Sequence, residues 1–173
     1  MTGKIAALAI LISAIAAGVS LYYLQIYGFY EEATAELTEV RLVSLNTDTP
    51  EPISARAIQA IDAESSPIRF RACFETDASL PMLTETYVAP ARATPRNAPP
   101  WFDCFDAADI AAEIAAGTAL PFLGQKNVKF GVDRIVVITD DGRGYIWHEL
   151  NDCGEKAYDG TIVGEECPGR EGS

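Results

Sequence analysis

The chain is poor in the side chains that most often carry chemistry. Its 173 residues include one histidine, His148, and two methionines, Met1 and Met82. A zinc site wants three or four His, Cys or carboxylate ligands, and Cys73, Cys104, Cys153 and Cys167 fall into neither CxxC nor CxxxC spacing. The same spacing removes haem attachment through CxxCH, and a single internal methionine supplies a copper-chaperone site poorly. GxSxG elbows, GxxxxGKS/T loops and GxGxxG turns are missing as well. No metal, no cofactor and no catalytic residue is expected, and an enzyme is not the leading reading. His148, between Trp147 and Glu149 in a strand-like segment, is expected to be structural.

Positive charge is also scarce. Lys and Arg number 13 against 25 Asp and Glu, for a net charge of −12. Nucleic acid is excluded as a partner, because its phosphates must be neutralised by basic side chains. An acidic surface keeps a domain soluble and suits a basic partner protein.

Between Lys4 and Glu31 charge is missing altogether. Ile5 to Leu24 supplies 20 uncharged residues, and at about 1.5 Å per residue a helix of that length crosses a hydrocarbon core of about 30 Å. Tyr22, Tyr23, Tyr27, Phe29 and Tyr30 cluster at its C-terminal end, where rings with a polar tip suit the headgroup region. The expected organisation is a cytoplasmic tail over 1–4, a transmembrane helix over 5–30, a periplasmic domain over 31–167 and a flexible tail over 168–173. Ala14-Ile15-Ala16 has the small-x-small pattern of a signal-peptidase site, but cleavage there leaves an uncovered apolar tail, so an uncleaved anchor is favoured. Lys4 and the terminal amine, opposed by Arg41 alone in the flanking window, give a slight bias towards a cytoplasmic N-terminus. Four cysteines beyond the span add to it, since two disulfides imply an oxidising space such as a bacterial periplasm outside the inner membrane. Within the span, Ala9, Ser13 and Ala17 recur every four residues, which is read equally as a small-residue face for a second membrane helix and as the general abundance of alanine in this chain.

The remainder predicts an α+β domain, a mainly antiparallel sheet covered by one or two helices and stapled by disulfides. Glu31 to Glu39 has helical composition and extends the membrane helix by a turn or two. Val40–Leu45 is a strand, "NTDTPEP" a turn, and Ser54–Ala63 a short helix with Ile58 and Ile61 inward. In "SSPIRFRACFET" Ile68, Phe70, Ala72 and Phe74 alternate with Arg69, Arg71 and Cys73, as in a half-buried strand. Arg69 and Arg71 then share one face and are candidate anion ligands, with surface salt bridges as the plainer reading. Pro81, Pro90, Pro95, Pro99 and Pro100 exclude regular helix or central strand from Leu80 to Trp101. Of three possible pairings, Cys73 to Cys104, which closes this excursion, and Cys153 to Cys167 are favoured. Trp101 and Phe102 either anchor a partner or pack over the disulfide. "FDAADIAAEIAAG" is a helix with Asp106 as N-cap, Gly117 as stop and a thin packing side of Ala107, Ala111 and Ala115. "DRIVVITDDGRGYIWHEL" is a hairpin turning at Asp141-Gly142, with Ile135–Ile138 as a central strand and Asp140 and Asp141 as turn formers.

Together "SSPIRFRACF", "PPWFDCFDAADIAAEIAAG" and "VDRIVVITDDGRGYIWHELNDCGEKAYDG" resemble a family of uncharacterised single-span envelope proteins from alphaproteobacteria, a domain of unknown function. The resemblance implies a setting and no activity. The expected function is that of an accessory, assembly or docking subunit of a larger membrane complex, a respiratory one as the specific case. Its expected partners are membrane proteins met through the helix, the lipid bilayer and a basic electron-carrier protein. The alternative is a periplasmic ligand-binding or sensing module that uses the arginine-lined face.

Overall fold

In the computed structural model the described residues are 2–35, 37 and 39–165. Helix α1 runs Thr2–Tyr23 and widens into a π-helical turn, Leu24–Gly28. The 26 residues Gly3–Gly28 are long and apolar enough to cross a membrane, and the helix is exposed on all sides. The expected extension into Glu31–Glu39 does not form. Glu31–Glu32 instead make strand β1, pairing antiparallel with Asp62 and Ile61. The helix ends because Gly28 closes the π turn and the following backbone is taken up by the sheet, with Ala33 N–H donating to Ala60 O at 2.8 Å. Two acids on so short an edge strand discourage further strand pairing.

Strands β2 (Val40–Val43) and β3 (Pro50–Ile53) form a separate hairpin. The six-stranded sheet is antiparallel in the order β1-β4-β5-β8-β7-β6, with β4 Arg56–Asp62, β5 Arg71–Glu75, β6 Ala119–Lys129, β7 Val132–Thr139 and β8 Arg143–Leu150. Segment 54–63 is therefore strand β4 and not the expected helix. Ile58 and Ile61 pack on opposite faces of the sheet instead of sharing a helical side, and a register shift between Arg56 and Gln59 falls where Ala57 takes φ 51°. Strand β7 is central, as its doubly apolar run predicts, with Ile135 to Ile138 all buried. The hairpin turns at Gly142, φ 85°, and Gly144 is required where the Phe74 ring crosses it: a Cβ there falls 2.1 Å from Phe74 Cζ.

Both faces of the sheet are covered, and this is what positions the site. One face carries Ala72, Phe74, Val136, Ile138 and Ile146 beneath the β2–β3 hairpin and Leu83 of helix α2, Leu80–Thr86. That helix corrects the expectation from proline content, because Pro81 sits in its first turn, where a missing N–H costs nothing. The other face carries Cys73, Ile135, Val137, Tyr145 and Trp147 beneath Phe102, Phe105 and Ile110 of helix α3, Ala107–Ala116. Asp106 caps α3 through the Ala108 and Asp109 N–H groups, and Gly117 ends it at φ 76°. Of the three alanines expected on its packing side, only Ala107 packs against the core. Ala111 and Ala115 are exposed, and Ile110 makes the buried contact. Burial of large apolar side chains such as Trp147 and Ile146 stabilises this two-sided core by about 1.5–3 kcal/mol each.

Candidate functional site at the junction of helix and domain

Five aromatic rings join the last turn of the apolar helix to the domain. Tyr27 stacks on Tyr23 at 5.7 Å and on Trp101 at 6.5 Å, while Tyr30 and Phe102 meet Trp101 edge-on at 6.0 and 6.3 Å. The indole N–H of Trp101 donates to Ile26 O at 2.7 Å. Carbonyls in a final helical turn lack intrahelical donors, so the indole satisfies a group the helix leaves open. Pro99-Pro100 presents the ring through a turn closed by Phe102 N–H to Pro99 O at 2.9 Å. Phe102 turns inward, 8% exposed, over the Cys73–Cys104 disulfide region, whereas Trp101 faces the helix.

The proline-rich segment that delivers Trp101 is irregular, and it is held by polar groups reaching out of the sheet. Cys73 of β5 is bonded to Cys104 with Cα atoms 6.3 Å apart, the pairing the sequence favours. Cys167 lies outside the described residues, and so does the expected Cys153–Cys167 bond. Arg71, expected on a half-exposed face, is buried, because the segment covers that face. Its Nε donates to Arg96 O at 2.9 Å, Nη1 to Ile68 O and Phe70 O at 2.9 and 2.7 Å, and Nη2 to Asn97 O at 3.1 Å. Burial pulls this guanidinium down to about 10, still charged at neutral pH. Glu149, also buried, accepts from Thr94 N–H at 2.9 Å and from the Trp147 indole at 3.3 Å. One covalent and two ionic side chains therefore fix a segment that has no ladder of its own.

Arg69 and Arg71 converge with Arg96 on an open recess of about 500 Å³ whose other walls include Gln25, Ile26 and Tyr30. The Arg69 guanidinium lies over the Tyr30 ring at 5.6 Å, and that of Arg71 over Phe105 at 5.7 Å. Arg69 Nη1 and Arg96 Nε are buried without a hydrogen-bond partner among the described residues. The sequence pattern paired Arg69 with Arg71 correctly in space but missed Arg96 and Glu149. Arg96 sits alone in a proline-rich stretch with no periodicity, and Glu149 lies near the end of strand β8, where a charged side chain reads as exposed.

His148 is buried beside this region, on the opposite sheet face from Arg71. Nδ1–H donates to Pro67 O at 2.8 Å, Nε2 accepts from Arg134 Nε at 3.2 Å, and the ring stacks on Phe70 at 4.7 Å. Desolvation, aided by the charges of Arg134, Arg71 and Lys129, pushes it down to about 4, so it is neutral at pH 7. Both ring nitrogens are engaged, in line with a structural role. At the hairpin tip, the Asp141 carboxyl is held below its usual range by the Thr139 hydroxyl and by Arg143. The small residues Ala9, Ser13 and Ala17 lie along the exposed helix, remote from the junction, and Ser13 Oγ donates within the helix to Ile10 O. Among the described residues no group of three or more His, Cys, Asp or Glu side chains is placed to hold a metal ion.

The class these features define is an antiparallel α+β domain, braced by a disulfide and carrying one N-terminal apolar helix of spanning length. The chain belongs to the family of unknown function DUF6446, whose family model matches residues 40–168 and so takes in the disulfide, the arginines and Trp101. No curated protein and no solved structure matches it. A helix of this kind near an N-terminus is a membrane span or a signal sequence, and the disulfide belongs to an oxidising compartment.

Proposed function

We propose that this is a non-catalytic single-pass membrane protein that acts as an accessory or docking subunit of a larger membrane complex. The observation that carries the reading is the fastening of a bare apolar helix to a rigid domain through Trp101, Tyr27 and the Ile26 carbonyl. A simple tether needs only a flexible linker, whereas a helix clamped at its last turn sets the height and rotation of the domain above its partners. The clamp also supports retention of the helix, because cleavage after Ala16 would leave a clamped but apolar stub, 17–28, still exposed. The setting that fits is an alphaproteobacterial inner membrane with the N-terminus cytoplasmic and the oxidised domain periplasmic. Ala9, Ser13 and Ala17 then face a neighbouring helix in lipid.

A respiratory assembly is the specific case. With Lys4 set aside, 12 basic residues stand against 25 acidic ones, a surface complementary to a basic electron-carrier protein. The test is mild-detergent extraction of native membranes after crosslinking, with mass spectrometry of what copurifies. Membrane-protein partners, lost when Ala9, Ser13 and Ala17 are replaced by Leu, are the expected result. Recovery of the chain by itself, or in the soluble fraction without its first residues, overturns the reading.

A further inference from the structure

We propose that the recess between Arg69, Arg96 and Tyr30 is a binding site for the phosphate of an anionic phospholipid headgroup. The proposal rests on the membrane-spanning reading above. Its first support is the distribution of charge. Elsewhere on the domain four of the eight described basic side chains, Arg41, Arg56, Arg143 and Lys126, each hold a carboxylate, from Glu39, from Glu75 and Asp77, from Glu113 and Asp141, and from Glu165. Around the recess Arg69, Arg71 and Arg96 have no carboxylate within ion-pair distance among the described residues. Asp62, whose Oδ1 accepts from Ala63 N–H, acts on Arg71 through its field, while Arg96 opposes the charge on Arg71. On a domain with twice as many acids as bases, three guanidinium groups line one recess with no carboxylate in contact with them among the described residues.

The second support is the set of free donors. Arg71 is committed to four backbone carbonyls and forms the back of the recess. Arg69 Nη1 and Arg96 Nε are buried N–H donors with no acceptor among the described residues. A buried donor left unmade is costly, and a phosphate oxygen accepts from guanidinium N–H groups in the planar geometry these offer. The third support is depth. Gln25 and Ile26, the last apolar turn of the helix, form one wall of the recess, and Tyr23, Tyr27 and Tyr30 ring the same level. A helix that crosses the hydrocarbon core from Gly3 places this turn at the headgroup layer, where basic side chains gain from anionic lipid. A phosphodiester there meets Arg69 and Arg96 without leaving its leaflet.

The experiment uses the full chain in nanodiscs of phosphatidylcholine alone and of phosphatidylcholine with phosphatidylglycerol, with native mass spectrometry of lipid retained on release. The wild type is expected to retain phosphatidylglycerol over phosphatidylcholine, and Arg69→Gln with Arg96→Gln to lower that preference by about tenfold or more. Arg69→Lys with Arg96→Lys should restore part of it, and circular dichroism verifies that each variant is folded. The single variant Arg96→Gln serves if the double one is not. Equal retention of both lipids by the wild type, or a preference unchanged in the Gln variants, overturns the proposal. Inorganic phosphate titrated into phosphatidylcholine discs separates the sources. A thermal shift as large as that from phosphatidylglycerol would reassign the recess to a free anion and overturn the lipid assignment. Carbonate extraction of membranes tells the two readings apart: a chain that resists extraction yet shows no lipid preference disproves only the headgroup site, while one that is extracted disproves the span.

Discussion

The two ends of the sheet handle charge in opposite ways. At the end remote from the helix, Arg56 reaches Glu75 at 3.1 Å and Arg143 reaches Glu113 at 2.7 Å, with the arginines about half exposed. At the helix end, Arg71, Glu149 and His148 are buried, and their partners are backbone groups, an indole, a second arginine or each other's neighbourhood. Exposed pairs exchange water for a partner at little net gain, whereas buried charges are costly to leave unmatched. The difference shows where the fold spends specificity: on holding an irregular, proline-rich segment in the one position that carries Trp101 to the helix.

That contrast can be broken most sharply at the disulfide. Replacing Cys73 and Cys104 together by Ser reopens a loop with a sequence separation of 31, and denaturant titration should record a loss of about 3–4 kcal/mol. An unchanged midpoint would mean that Arg71 and Glu149 hold the segment unaided. Next in size is Arg71→Met, which leaves four carbonyls without their donor and should cost about 3 kcal/mol. If Arg143→Met costs as much, the distinction between the two ends is wrong.

His148 sharpens the comparison through pH. Its folded value of about 4 lies below the ordinary 6.5, so the unfolded chain binds the proton first. Its contribution is therefore intact above pH 6.5, falls as pH drops from 6.5 towards 4, and is level below that. The loss amounts to about 3 kcal/mol. His148→Gln should remove this part of the pH dependence, and parallel wild-type and variant curves between pH 7 and 4 would contradict it. Trp101→Phe keeps the stacking and deletes the N–H to Ile26 O, a loss of about 1 kcal/mol. Spin labels on helix and domain should show a broadened distance distribution while the domain's own melting stays put. The smallest effect is expected at Arg143→Gln, under about 1 kcal/mol and shrinking further in high salt.

Much of the fold is legible from local pattern. The capped helix Ala107–Ala116, the hairpin of β7 and β8 and the apolar helix each follow from residues within a few positions of one another, so propensity, turn chemistry and period agree. Segments 54–63 and 31–32 depart from the expected helix for the same reason in reverse. Their composition allows helix, but pairing with β5 and β4 respectively decides for strand, and those partners are set by tertiary packing. At the junction, alternation along Ile68–Phe74 put Arg69, Arg71 and Cys73 on one side of a strand without indicating that this side is covered. The cover arrives from residues 88–105, further along the chain and outside the reach of the strand's own pattern.

From its own sequence this chain fixed an apolar helix of spanning length and a net acidic domain, because each depends on composition alone, and it favoured the Cys73–Cys104 pairing among three without deciding it. The meeting of Trp101 with Ile26, the burial of Arg71 and the convergence of Arg69 with Arg96 were decided only by the folded chain. They depend on three distant segments arriving at one place, and no period or motif within any one of them encodes the other two.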